Sequence, residues 1–222
     1  MNATSAATMS GPRISTVRFS SIEAPNLRLD AKHYQDEFIL ARKRVAHCGY
    51  PFVPVGNVAA AFVPGRTKLV TTSSSSAGAP YLRAHDALEV RPHSRRYASR
   101  YRIENYDEYQ LKEGMLLTPS SGRNLGPMAY VGKKLSQFTM TDILRIVPQS
   151  KDAGFYLLGF LLTPTGQALI RRGRTGTNVD HLSPESVLQI PVPQLPEKEK
   201  MKVVDAIRVA EERLDNARLR LD

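Results

Sequence analysis

The stretch GMLLTPSSGRNLGPMAYVGKK, residues 114–134, sets a polar loop between two short apolar runs. Met115-Leu116-Leu117 leads in, Met128-Ala129-Tyr130-Val131 leads out, and Ser120, Ser121, Gly122, Arg123, Asn124 and Gly126 lie between. Serine hydroxyls and glycine amides bond phosphate oxygens, and glycine lets a backbone approach closely. An arginine fork suits guanine and an asparagine amide suits adenine, each bidentately. The residue types therefore fit recognition of a nucleic acid. By itself the same string would also serve as an ordinary exposed hairpin turn.

Catalytic patterns do not fit. A Walker loop requires Gly-Lys-Ser/Thr after a glycine and four residues, whereas Gly132-Lys133 is followed by Lys134 and preceded five places earlier by Pro127. No Gly-x-Ser-x-Gly elbow occurs. The histidines at 33, 47, 85, 93 and 181 have no metal-ligand spacing, so no metal site is expected. Cys48, the single cysteine, is adjacent to His47 and poorly placed to be activated by it. One cysteine also excludes a disulfide framework and fits a reducing, cytoplasmic setting. No apolar run reaches the ~18 residues of a membrane span. The start, MNATSAATMSGPR, lacks the basic-then-apolar order of a secretory signal and reads as a loose polar tail over 1–12.

The charge of +10 is unevenly distributed. Residues 197–222 hold seven basic and seven acidic residues, so the whole excess lies in 1–196. Residues 83–102 alone carry six arginines against two acids, and Arg83, His85, Arg95 and Arg96 are candidate polyanion contacts. Lys133 and Lys134 add point charges suited to phosphates. Arg174, Thr175, Thr177 and Asn178 form a second candidate contact loop.

Elements must position these residues. Asp30 caps a helix over 31–46, whose Tyr34, Phe38, Ala41 and Val45 share one face. Short strands are expected at 52–55 and 58–63, a strand pair across 80–90, a strand region from Leu111 and a strand over 139–147. Residues 71–78 form a polar low-complexity loop. Residues 153–162 read as a buried helix, 167–172 as a second, Ser183-Pro184 as a helix start, and 189–193 as a strand. The Gln194-Leu195-Pro196 connector then leads into a charged helix to the end. Ile207, Leu214 and Leu221 fall at a positions of a heptad, and Val203, Ala210 and Ala217 at d positions. The stripe is narrow, terminal and flanked by balanced charge. It predicts a helix that leaves the domain to meet a partner helix, the alternative being a helix folded back on its own domain.

The order of motifs resembles a known family. Gly114-Met115-Leu116-Leu117, then Ser121-Gly122 and Gly126, resembles the Gly-x-Leu-Leu-x-x-x-Ser-Gly-x-x-Gly segment of target recognition domains in type I restriction–modification specificity subunits. Phe155 to Leu161 with Gly166-Gln167 is similar to that family's Tyr-Leu…Leu…Gly-Gln helix, and Gly173 to Leu182 to its Gly-Ser/Thr…Leu loop. Ile190-Pro191-Val192-Pro193 with Leu195-Pro196 resembles its junction to a long helix, although Glu197-Lys198 stands where Glu-Gln is usual. Arg28-Leu29-Asp30-Ala31 with Tyr34 is similar to a lead-in of methylase-associated recognition regions.

The resemblance implies an α+β fold: a mixed β-sheet with packed helices over 13–196, followed by a long coiled-coil-type helix over 197–222. It implies a non-catalytic reader of double-stranded DNA. The reader would position a partner adenine methyltransferase, which would bind the S-adenosylmethionine; this chain would bind no cofactor. A restriction or other defence subunit is a further expected partner, and a membrane is not. The family carries two recognition domains and two long helices per chain, whereas one of each is present here. That implies either a half-subunit, which would pair with a second copy or another half, or a fragment of a longer protein. The alternative is a non-catalytic interaction or inhibitor protein of a defence system, using the same fold to bind protein or modified nucleic acid.

Overall fold

The computed structural model describes residues 16–19, 22, 28–65 and 70–221. The polar tail expected over 1–12 lies outside the described residues.

Asp30 does act as a cap: its carboxylate accepts the amide of His33 at 3.1 Å. The capped turn is a 3-10 turn, Ala31–Tyr34, and the α-helix α1 begins afterwards at Asp36–Ala46. Phe38, Ala41 and Val45 are buried as their spacing predicts. Strands β1 (Phe52–Pro54), β2 (Ala59–Phe62), β3 (Thr71–Thr72), β4 (Tyr81–Leu82) and β5 (Tyr97–Ala98) are short. They are followed by β6 (Leu116–Pro119), β7 (Ala129–Tyr130), β8 (Thr139–Met140) and β9 (Ile143–Pro148). Then come α2 (Lys151–Leu162), α3 (Pro164–Arg172), α4 (Pro184–Leu188), β10 (Pro191–Pro193) and α5 (Glu197–Arg220). The helix starts carry the expected signals. Ser150, Thr163 and Ser183 each accept an amide of their first turn, and prolines follow directly at 164 and 184.

The central sheet is antiparallel in the order β2-β9-β6-β7. Alternation along its strands sends side chains to two cores. Leu116, Leu144, Ile146 and Ala59 join α1, α2, α3 and α4 in the larger one. Leu117, Ala129 and Ile143 join Leu82, Leu135, Phe138 and Met140 in the smaller one. β1 pairs with β10, which closes the helical side.

Two expectations are corrected. The expected strand over 139–147 is broken at Thr141-Asp142, where Asp142 takes φ 41°, so β8 turns away and pairs in parallel with β4. Residues 80–90 therefore form no strand pair of their own; β4 is followed by a 3-10 turn at Asp86–Leu88. Local alternation cannot reveal a partner so far along the chain.

The larger correction concerns α5, which folds back along its own domain. Val204 is fully buried, and Val203 and Ile207 pack on α2 where Gly159 leaves room: a Cβ there would lie 2.8 Å from Val203. Further along, the Asp215 carboxylate accepts the amides of Lys133 and Lys134, both at 2.9 Å. The Arg218 guanidinium, 4% exposed, donates to the carbonyls of Ala87 and Glu89. Of the heptad stripe, Val203, Ile207 and Leu214 are half-buried within the chain, while Ala210, Ala217 and Leu221 remain exposed. The inward face is wider than the a/d seam because it includes Val204 and Arg218 between the stripe residues.

Arg145 is a second surprise, set in the apolar run of β9 yet fully buried. Its guanidinium donates to the carbonyls of Glu108, Tyr109, Gln110 and Met140 and lies over the Phe62 ring. Burial lowers its pKa to about 10, so it stays charged at neutral pH. Main-chain acceptors thereby anchor the irregular 108–110 segment to the sheet.

Candidate nucleic-acid interface

The loop after β6 turns on two glycines with positive φ, Gly122 at 110° and Gly126 at 122°. Its far end is held from inside. Leu125 is buried, and the Gln167 side chain donates to the carbonyls of Gly126 and Leu161 at 2.9 and 2.8 Å. Gln167, half of the Gly-Gln motif, is thus a brace for the loop. The exposed tip presents Ser121, Arg123 and Asn124. Ser120 is turned aside, its hydroxyl donating to the Asp142 carbonyl at 2.9 Å.

The second candidate loop, 173–182, lies directly against the first. Gly122 donates its amide to Asp180, and Leu182 donates to Ser120. Thr175 and His181 exchange both main-chain hydrogen bonds, and Gly176, at φ 104°, turns the tip between them. Thr175, Thr177, Asn178 and His181 are exposed. Arg174 is not part of the tip. Its guanidinium donates to Gln35, lies 3.8 Å from Asp180 and stacks over Phe38, so it fixes the loop to α1. The Asp180 carboxylate also receives Lys32 at 3.1 Å.

The third group, Arg83, His85, Arg95 and Arg96, is exposed around a shallow cleft that also contains Tyr81, Asp86 and His93. Asp86 organises it, accepting the amide and side chain of Arg83 and lying 2.8 Å from His85 Nε2. A polar relay connects this cleft to the first loop. The Tyr81 hydroxyl bonds Thr141 at 2.9 Å, and the next residue, Asp142, holds Ser120. Hydrogen bonds therefore link three segments separated in sequence.

Lys133 and Lys134 do not join them. β7 runs antiparallel to β6, with Leu116 opposite Tyr130, so these lysines lie at the other end of the strand from Ser120. Lys133 is exposed there, whereas Lys134 is 6% exposed with its ammonium 5.4 Å over the Phe138 ring. Burial lowers the pKa of Lys134. A side chain so enclosed does not reach a phosphate, which removes Lys134 from the expected contacts.

Sequence reasoning missed Thr141, Asp142 and Asp180, which tie segments together, and Asp86, which holds its own turn. Their signal lies in geometry: an αL turn at Asp142, the Asp180 carboxylate on Lys32 and the Asp86 carboxylate on Arg83 and His85. Among the described residues, no three His, Cys, Asp or Glu side chains converge as metal ligands. Among them, too, no single helix is long and apolar enough to cross a membrane.

No family model and no curated protein matches the sequence. Solved structures do match the fold. The HsdS subunit from Thermoanaerobacter tengcongensis superimposes with a TM-score of 0.50 at 12% identity, covering 84% of this chain and 46% of that one. The S subunit of a type I restriction–modification system from M. genitalium gives 0.50 at 12% identity, covering 76% and 41%. The type IIG restriction endonuclease BpuSI gives 0.55 at 10% identity, covering 82% and 29%. The chain spans less than half the length of each. At these identities the likeness is one of fold alone: a mixed α+β fold with a long C-terminal helix in this chain.

Proposed function

We propose that this chain reads the sequence of double-stranded DNA and positions a partner methyltransferase on it, within a restriction–modification or related defence complex. What supports this reading is the set of hydrogen bonds that links the 120–124 loop to the 174–181 loop and, through Asp142 and Thr141, to the Arg83–Arg96 cleft, on a fold similar to that of an HsdS subunit. In this reading residues up to 196 supply the DNA reader. Arg123 and Asn124 address base edges, with Thr177 and Asn178 beside them. Arg83, Arg95, Arg96 and Lys32 address phosphates. The chemistry belongs to the partner, which holds S-adenosylmethionine.

Helix α5 takes the second role. Its inner side is committed to α2 and to the 132–134 segment, so docking falls to the outward residues Ala210, Ala217 and Leu221. One reader addresses half of a two-part site, and a second reader, on another chain or in a longer protein, completes it.

Fluorescence anisotropy with duplex DNA, with and without the methyltransferase, tests the reading. Neutralising about six phosphates gives a slope of log affinity against log salt near −5. Salt-independent affinity, or no binding at low salt with the methyltransferase present, overturns it.

A further inference from the structure

The last turn of a helix leaves carbonyls without intrahelical donors, and the loop that follows adds more. At the end of α3 these acceptors are met by a distant part of the chain. Three alternate carbonyls, those of Arg172, Arg174 and Gly176, accept from side chains of residues 28–33. The Arg28 guanidinium donates to Arg174 at 2.7 Å and to Arg172 at 3.5 Å. His33 donates from Nδ1 to Arg172 at 3.0 Å. The Lys32 ammonium donates to Gly176 at 3.4 Å and to the Asp180 carboxylate at 3.1 Å, and its side chain, 46% exposed, stays open to a phosphate as well. Arg174 reaches back in turn, donating to Gln35 at 3.1 Å.

Residues 28–34 are themselves preset to make these bonds. Both Asp30 carboxylate oxygens hold the Arg28 fork, at 2.8 and 2.9 Å, and Oδ1 also accepts the His33 amide. The Tyr34 hydroxyl donates to the Arg28 carbonyl at 2.6 Å, tying the start of the segment to its end. A bidentate carboxylate fixes the plane of a guanidinium as well as its position. The Arg28 side chain is 18% exposed and all three of its nitrogens are bonded within the protein, which makes it a brace and not a phosphate contact. What it braces carries the tip with Thr177 and Asn178. Thr175 and His181 pair across that loop, Gly122 donates to Asp180 and Leu182 to Ser120, so a shift at 174–176 reaches residues 120–122 too.

We propose that residues 28–33 form a clamp that sets the position of the 173–182 loop, with Arg28 as its positioning residue, and that this clamp governs sequence choice on DNA without touching a base. The inference rests on the DNA-reading function proposed above. Two measurements on the full chain test it. Amide hydrogen exchange, without DNA, reads the clamp itself: Arg28→Gln speeds exchange at Thr175, His181, Gly122 and Leu182 by about tenfold and leaves α2 unchanged. Selection of duplexes from a randomised pool, followed by anisotropy, reads the consequence. Arg28→Gln lowers affinity for the duplex selected by the wild type by about tenfold, the worth of about one good base contact, while affinity for random duplex and the salt slope stay as they were. Arg28→Lys, which keeps the charge and loses the fork, falls between. Thermal unfolding verifies that each variant is folded, and if Arg28→Gln is not, Asp30→Asn, which releases the same fork, takes its place. Equal losses on both duplexes with a slope reduced by about 1 make Arg28 a phosphate contact and overturn the inference. Unchanged exchange, or faster exchange with undiminished discrimination, overturns it while leaving the DNA reader standing. A wild-type chain that selects no duplex sequence overturns the reader, and the inference with it.

Discussion

The amide of Gly122 donates a 2.9 Å hydrogen bond to the carbonyl of Asp180, joining two loops that the chain separates widely. Gly122 has open space where a Cβ would be, so Gly122→Ala suffers only from its φ of 110°. The expected cost is about 1–3 kcal/mol. Gly176→Ala should cost more, since its added Cβ also collides with the Val179 carbonyl. Thermal unfolding ranks the two, and the opposite ranking would contradict the loop geometry.

Arg123 and Asn124 stand exposed at the tip of the first loop. Arg123→Ala should cost about 1–3 kcal/mol on the cognate site and little on random duplex. Equal losses on both would make Arg123 a phosphate contact.

The basic groups should divide by position. Arg95→Ala or Arg96→Ala should each reduce the salt slope by about 1. Lys133→Ala should leave it unchanged, because Lys133 lies at the far end of β6, beside Asp215. A slope altered only by Lys133→Ala would place the DNA on the opposite end of the molecule.

The inward and outward faces of α5 should respond differently. Asp215→Ala strips two amides of their acceptor and should destabilise the fold by about 1–3 kcal/mol. Val204→Asp puts a charge into the core and should unfold the domain. Ala210→Glu with Ala217→Glu should leave unfolding unaltered and weaken methyltransferase or self association, read by light scattering. Leu214, half-buried, should show both effects when changed to Glu.

His33 should make stability pH-dependent. Burial, then Arg172 and Arg28, lower its pKa from 6.5 to about 4. Between these values the unfolded chain takes up a proton that the folded chain refuses. The contribution is complete above about pH 6.5 and is lost as pH falls through about 4. His33→Gln should flatten the denaturation midpoint against pH across that window; an unchanged slope would place its origin in other groups.

Much of the chain was legible in sequence because the relevant physics is local. Amphipathic spacing gave Phe38, Ala41 and Val45 as one face, and Ser150, Thr163 and Ser183 start helices because a hydroxyl satisfies first-turn amides wherever it occurs. The order of glycine-bearing motifs pointed to the recognition-domain fold. Only the tertiary structure decided which polar residues come together. Lys134 and Arg174 look in sequence like Lys133 and Arg123, yet one is buried over Phe138 and the other is held by Gln35, Asp180 and Phe38. The heptad along α5 marked an apolar stripe but could not name what covers it. Contacts with Gly159 and with the amides of Lys133 and Lys134 chose the chain's own body, because partners distant in sequence leave no periodic trace at the residues they meet.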